Sequence, residues 1–198
     1  MPTPLVHLYV AQRMLTDETT GALAVLPRHA GDFLLGSIAP DAWSVSGLSR
    51  DETHLLPIPI PAGRRGADEL RARYPQLRTA GQLRPAQAAF VAGYMTHLLL
   101  DEIWYFEVFD PFFFSGWNGA PGRRRFVLHN VLRLHLEERL ERRVDPDLPA
   151  TLGRARPNYG VPPFPDRLLE EWRDLIVGEF LPGGQKRSVQ VFAERMNT

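Results

Sequence analysis

The sequence predicts an all-α fold: a single-domain, multi-helix bundle over residues 1–198, with six or seven helices and one long loop at 39–65. Three observations predict it. Apolar residues recur at helical spacing over long segments, strand-type alternation is scarce, and prolines fall between the periodic segments more than within them.

The elements follow in order. Residues 4–15 place Leu5, Leu8, Tyr9, Ala11 and Leu15 near helical spacing, with Thr3 as N-cap before Pro4. A second apolar helix is expected over 27–38, stopping before Pro40 because the residue ahead of a proline is pushed out of helical geometry. Residues 39–65 carry Pro40, Pro57, Pro59, Pro61, Gly47 and Gly63 and read as a punctuated connection, a length that compact domains reserve mainly for functional loops. A short polar helix over 66–74 ends at Pro75. Segment 85–106 is apolar nearly all round, which places it at the centre of the bundle, with Ala92 and Gly93 permitting close helix packing. Residues 110–119 are aromatic and irregular. Segment 123–143 is amphipathic, with Phe126, Val127, Val131, Leu134 and Leu140 able to share a face. Six prolines make 145–165 an extended connector, and 166–181 and 185–196 read as two closing helices.

Composition narrows the function. The 23 basic and 23 acidic residues cancel, so there is no strong nucleic-acid signature and no general attraction to anionic lipid. Apolar residues make up 44% of the chain, too many for intrinsic disorder. There is no cysteine, which excludes disulfides, thiolate metal sites and a cysteine nucleophile. Pro2, Pro4, His7, Gln12 and Arg13 break any signal-peptide pattern, and no run of 18 apolar residues exists, so a cytoplasmic protein without a transmembrane segment is expected. Adjacent His-Asp pairs, paired Glu-x-x-His motifs, GxSxG, P-loop and GxGxxG patterns are absent.

The chemistry concentrates in a few polar residues in apolar settings. His97 and Asp101 lie four apart on the central helix and point from one face. A carboxylate there costs several kcal/mol unless it is paired or binds a metal. His7 lies on the first helix, Asp41 directly follows an apolar helix, and His54 sits in the long loop. Each has an ordinary explanation alone: a satisfied core histidine, a turn residue after proline, an exposed loop histidine. One metal centre in the core of the bundle explains them together. Asp41, His54, His97 and Asp101 could supply the four ligands of a divalent ion such as zinc. The second oxygen of Asp101 could bridge to a second ion at His7, and two ions roughly 3.5–4 Å apart suit phosphoester hydrolysis. Nickel, iron or manganese would accept the same ligand types.

The blocks FLLGSIAPD ending at Asp41, THLLP with His54, and GYMTHLLLDEIWY with His97 and Asp101, in that order after His7, resemble the zinc-dependent phospholipase C family, which belongs with the S1/P1-type nucleases. The resemblance covers about residues 1–107. It implies an all-α fold in which Asp41, His54, His97 and Asp101 hold one zinc. It also implies an Asp101 bridge to a second zinc at His7, and Asp41 as the catalytic general base. Secreted members complete the His7-type site with a free terminal amine, for which this chain shows no processing signal. The family's third zinc needs a histidine followed by HxxxE. Here His129 is followed at the fourth position by Arg133 and His135 by Arg139, with Glu138 the nearest substitute. A site of one or two ions is therefore expected, with His129, His135 and Glu138 as weaker candidate ligands or lining residues.

The expected function is hydrolysis of a small-molecule or lipid phosphoester by metal-activated water. A related nuclease and a non-catalytic, metal-stabilised helical binding module are the alternatives. Phe112, Phe113, Phe114 and Trp117 read as a hydrophobic plug closing the bundle, or as a surface for lipid. Arg123–Arg125 reads as a solvated helix start, or as a grip for phosphate.

Overall fold

In the computed structural model, residues 1–17, 26–115 and 122–181 are described, and among them there are eight α-helices and no strand. Helix α1 (Pro4–Thr16) begins after Thr3, whose extended backbone makes it the N-cap without a capping side-chain hydrogen bond. A 3-10 turn (Pro27–His29) leads into α2 (Ala30–Gly36), and a second 3-10 segment (Ala39–Val45) carries Asp41. Helix α3 (Arg50–His54) and α4 (Gly66–Arg73) precede the long α5 (Pro85–Trp104), which runs on as a π-helical segment (Tyr105–Phe114). Then come α6 (Gly122–Glu141), α7 (Leu148–Gly153) and α8 (Asp166–Leu175), the last continuing as a π-helical turn (Ile176–Phe180).

Helix α5 is central and packs most extensively on α2. Two glycines make that contact possible. A Cβ on Gly93 would lie 2.0 Å from the Phe33 carbonyl oxygen, and one on Gly36 would lie 2.1 Å from that of Phe90. The backbones therefore meet where no side chain fits. Leu8, Phe33, Leu34, Leu35, Phe90 and Tyr94 are fully buried around this seam. Both ends of α2 are fixed from the far side, the first turn at Asp32 and the exit at Ile38. The Tyr159 hydroxyl donates to Asp32 at 2.5 Å, and the Trp172 indole on α8 donates to the Ile38 carbonyl at 2.9 Å. The turn at Ser37–Ile38, which faces the site, is thus clamped between α5 and α8.

Four expectations need correction. The connection 39–65 is partly helical, because Ser49 and Glu52 form a reciprocal capping box that nucleates α3. The connector 145–165 contains α7. Helix α6 buries only part of the anticipated face: Leu140 is buried, but Phe126 and Val131 are exposed, and His129, Asn130 and Glu137 turn inward instead. The Trp104 indole N–H needs an acceptor and finds it in His129 Nε2 at 3.0 Å, which turns that side inward. The phenylalanine run does not act as one plug. Phe113 and the preceding Phe109 pack on His129, but Phe112 is 64% and Phe114 41% exposed. Arg125 donates to the Phe114 carbonyl at 2.8 Å, and Arg124 is exposed. Trp117 and segment 185–196 lie outside the described residues. Among the described residues, no helix is long and apolar enough to cross a membrane.

Candidate metal centre

The three histidines and two aspartates converge. His7 Nε2 lies 3.5 Å from Asp101 Oδ1, while His54 Nε2 lies 3.6 Å from Asp101 Oδ2 and 3.6 Å from Asp41 Oδ1. His97 Nε2 is 3.3 Å from His54 Nε2 and 3.9 Å from Asp101 Oδ2. The His7 and His97 rings stack with centroids 3.8 Å apart. His7, His54, His97 and Asp101 are buried, and Asp41 retains 19% side-chain exposure. His7, His97 and Asp101 form one group with ligand atoms close enough to share an ion, and Asp41, His54 and His97 form another.

The outer hydrogen bonds fix the tautomers. His97 Nδ1 is 2.9 Å from the Ser37 carbonyl oxygen. A carbonyl only accepts, so Nδ1 carries the proton and the neutral ring presents a bare Nε2. His54 Nδ1 is 2.9 Å from Thr53 Oγ1, whose single hydroxyl proton is directed to the Arg50 carbonyl at 3.0 Å. Thr53 therefore accepts from His54 Nδ1–H, which leaves His54 Nε2 as the nitrogen that faces inward. The Nε2 atoms of two imidazoles and the oxygens of two carboxylates thus face one space. In addition, both His7 nitrogens and Asp101 Oδ1 are buried without a hydrogen-bond partner among the described residues. So many inward imidazole nitrogens and carboxylate oxygens in one buried space make a binding site suited to a cation. Zinc bonds of about 2.0–2.1 Å at tetrahedral angles put ligand nitrogens about 3.3–3.4 Å apart, the separation of His54 and His97. The residues present fit a divalent ion.

The electrostatics point the same way. Burial pushes the Asp101 carboxyl up, but His7, His97 and His54 outweigh it and hold it well below the usual carboxylate range. Burial likewise raises Asp41, and contact with His54 plus the other imidazoles brings it down to about 2. Burial, with His7 beside it, depresses the His97 imidazole to about 3. Burial also lowers the α-amino group of Met1 to about 6, Asp101 opposing and Arg133 adding. His97 is therefore neutral in the fold, as a ligand must be.

A pH prediction follows for the metal-free chain. Between about 3 and the ordinary histidine value of 6.5, unfolded His97 binds a proton that folded His97 refuses. Stability therefore falls as pH falls through that window, by up to about 1.4 kcal/mol per pH unit from this group. His129, depressed to about 3 by burial, the α-amino group and Arg133, adds in the same direction. Urea midpoints measured from pH 7 to pH 4 should decrease steadily; a flat profile would contradict neutral, buried imidazoles.

Several contributors carried no signal in the sequence reading. Ser37 and Thr53 orient the imidazoles, and Arg50 Nη2 sits 3.5 Å from Asp101 Oδ2. Glu102 accepts from the Gly66 amide at 2.6 Å and from Arg65 at 3.2 Å, tying α4 to the helix that bears Asp101. Only the Ser49–Glu52 capping box could have announced α3, and with it Arg50 and Thr53. His129 belongs to neither metal-capable group, since its Nε2 accepts from Trp104. His135 and Glu138 are exposed on α6 and also lie outside both groups. Comparison of the chain with protein-family models, curated proteins and solved structures gave no significant match.

Proposed function

We propose that this chain is a zinc-dependent phosphoester hydrolase, acting on a phosphodiester such as that of a phospholipid. The observation that carries the reading is the convergence of His7, Asp41, His54, His97 and Asp101 on one buried space. The ligand types favour zinc, and the absence of sulfur among them favours a hydrolytic over a purely structural ion. Asp41, His54, His97 and Asp101 Oδ2 would hold one ion; Asp101 Oδ1 and His7 face each other on the other side of the carboxylate, where a second would bind. Bound there, zinc supplies Lewis acidity and a water of lowered pKa. Asp41, the more exposed of the two carboxylates, would orient the attacking water and accept its proton, the role that the resemblance implies for it. The resemblance in the GSIAPD and GYMTHLLLD blocks agrees with this assignment.

The test is turnover. The zinc-loaded chain should hydrolyse bis(p-nitrophenyl) phosphate or p-nitrophenylphosphorylcholine, lose that activity to a chelator, and regain it with zinc. Cleavage of single-stranded DNA alone would select the S1/P1-type reading. No turnover on any phosphoester, with unfolding on chelation, would leave a metal-stabilised binding module.

A further inference from the structure

We propose that Arg50 is the oxyanion-binding residue of this centre, gripping the non-bridging oxygens of a phosphoryl group seated beside Asp101; the proposal deepens the hydrolase reading and rests on it for the identity of the ligand.

Arg50 opens α3, and its guanidinium is held in place. Leu55 ends that helix in the left-handed region, at φ 65°, and turns the chain so that the Leu56 carbonyl accepts from Arg50 Nη1 at 3.0 Å. The other end, Nη2, is 3.5 Å from Asp101 Oδ2. A guanidinium carries five N–H donors in a planar fork, so these two contacts leave donors for another acceptor. The side chain is 21% exposed and forms a wall of the pocket that opens onto His54 and Asp101, with Leu56, Ile60 and Glu102 as further lining. It is thus at once anchored, solvent-reachable and adjacent to the candidate ligands.

Charge bookkeeping gives Arg50 its role. Glu102, the other charged wall of the pocket, is already committed to the Gly66 amide and to Arg65. Asp41 and Asp101 together carry two negative charges, which one divalent ion cancels. Arg50 then leaves the pocket with a single positive charge, matching the single negative charge of a phosphodiester. With two ions the excess is three and favours the dianion of a phosphomonoester. In both cases Arg50 is a cation that lines the pocket beside the ions, and its fork matches two phosphoryl oxygens. If instead Arg50 served only to neutralise Asp101 in the fold, it would contribute to ion retention and stability, not to ligand affinity.

The experiment separates these roles. Stoichiometrically zinc-loaded wild type, Arg50→Gln and Arg50→Lys are compared for zinc content, for affinity toward inorganic phosphate by calorimetry, and for kcat/KM on bis(p-nitrophenyl) phosphate. Arg50→Gln should keep the wild-type zinc content yet bind phosphate about 10–100-fold more weakly, and Arg50→Lys should recover part of the loss. Phosphate binding within twofold of wild type in Arg50→Gln would overturn the proposal, as would loss of zinc from both variants. If the wild type turns over no phosphoester but Arg50→Gln still loses phosphate affinity, the hydrolase reading fails and the Arg50 site stands. Turnover with unchanged phosphate affinity sinks the Arg50 assignment alone.

Discussion

Asp101→Asn should weaken zinc binding by about 100-fold or more. The Asp101 carboxylate faces all three imidazoles: Oδ1 points at His7, and Oδ2 at His54 and His97. The amide replaces one acceptor oxygen with a donor and removes a charge, so it takes away a ligand and any bridge in one change. Loss of an outer-sphere hydrogen bond alone reduces metal affinity about 10–100-fold, and loss of a direct ligand must exceed that. At fixed free zinc, a 100-fold rise in Kd removes about 2.7 kcal/mol of metal-linked stability. The volume is unchanged and Arg50 is partly exposed, so the metal-free variant should still fold. Thr53→Val provides the milder companion. It removes the acceptor of His54 Nδ1–H without touching an inward-facing atom, and should weaken zinc by about 10–100-fold. Titration against a competing chelator reads both. Wild-type affinity in Asp101→Asn would show that the carboxylate holds no ion.

Gly93→Ala should unfold the chain or leave it destabilised by about 3 kcal/mol or more, at the top of the range for overpacked cores. The added Cβ would meet the Phe33 carbonyl oxygen at 2.0 Å and the Ser37 amide nitrogen at 2.8 Å. Both are backbone atoms, so no rotamer change relieves the clash and α2 must move away from α5. That seam also sets the distance from the Ser37 carbonyl to His97 Nδ1. Any Gly93→Ala protein that does fold should therefore have lost zinc affinity too. A urea midpoint equal to that of wild type would mean that the helices do not meet as closely as described.

The residues that chemistry makes rare in apolar helices were the legible ones. His97 and Asp101 stand out because no other residue on α5 before Glu102 is a histidine, a carboxylate, a lysine or an arginine, and the helical period alone puts them on one face. The central place of α5 was legible for the same reason: a segment apolar all round has no solvent side to offer. The inward face of α6 was not. Apolar residues lie on more than one side of that helix, so periodicity could not say that His129 and Asn130 turn inward while Phe126 and Val131 turn out. That choice is made by one indole N–H on another helix. Arg50 was hidden in a similar way, since its relation to Asp101 spans 51 residues and depends on a left-handed turn at Leu55 that leucine does not advertise. His7 and His54 were found by asking which isolated polar residues could share one explanation, and the fold places both within 3.6 Å of Asp101.

The most direct test of the central claim is an anomalous difference map from crystals of the protein as purified, recorded on both sides of the zinc absorption edge. The account predicts a peak bonded at about 2.0–2.1 Å to both His54 Nε2 and His97 Nε2. A map with no peak there, from protein that elemental analysis shows to be free of divalent metal even after zinc is added, would contradict it.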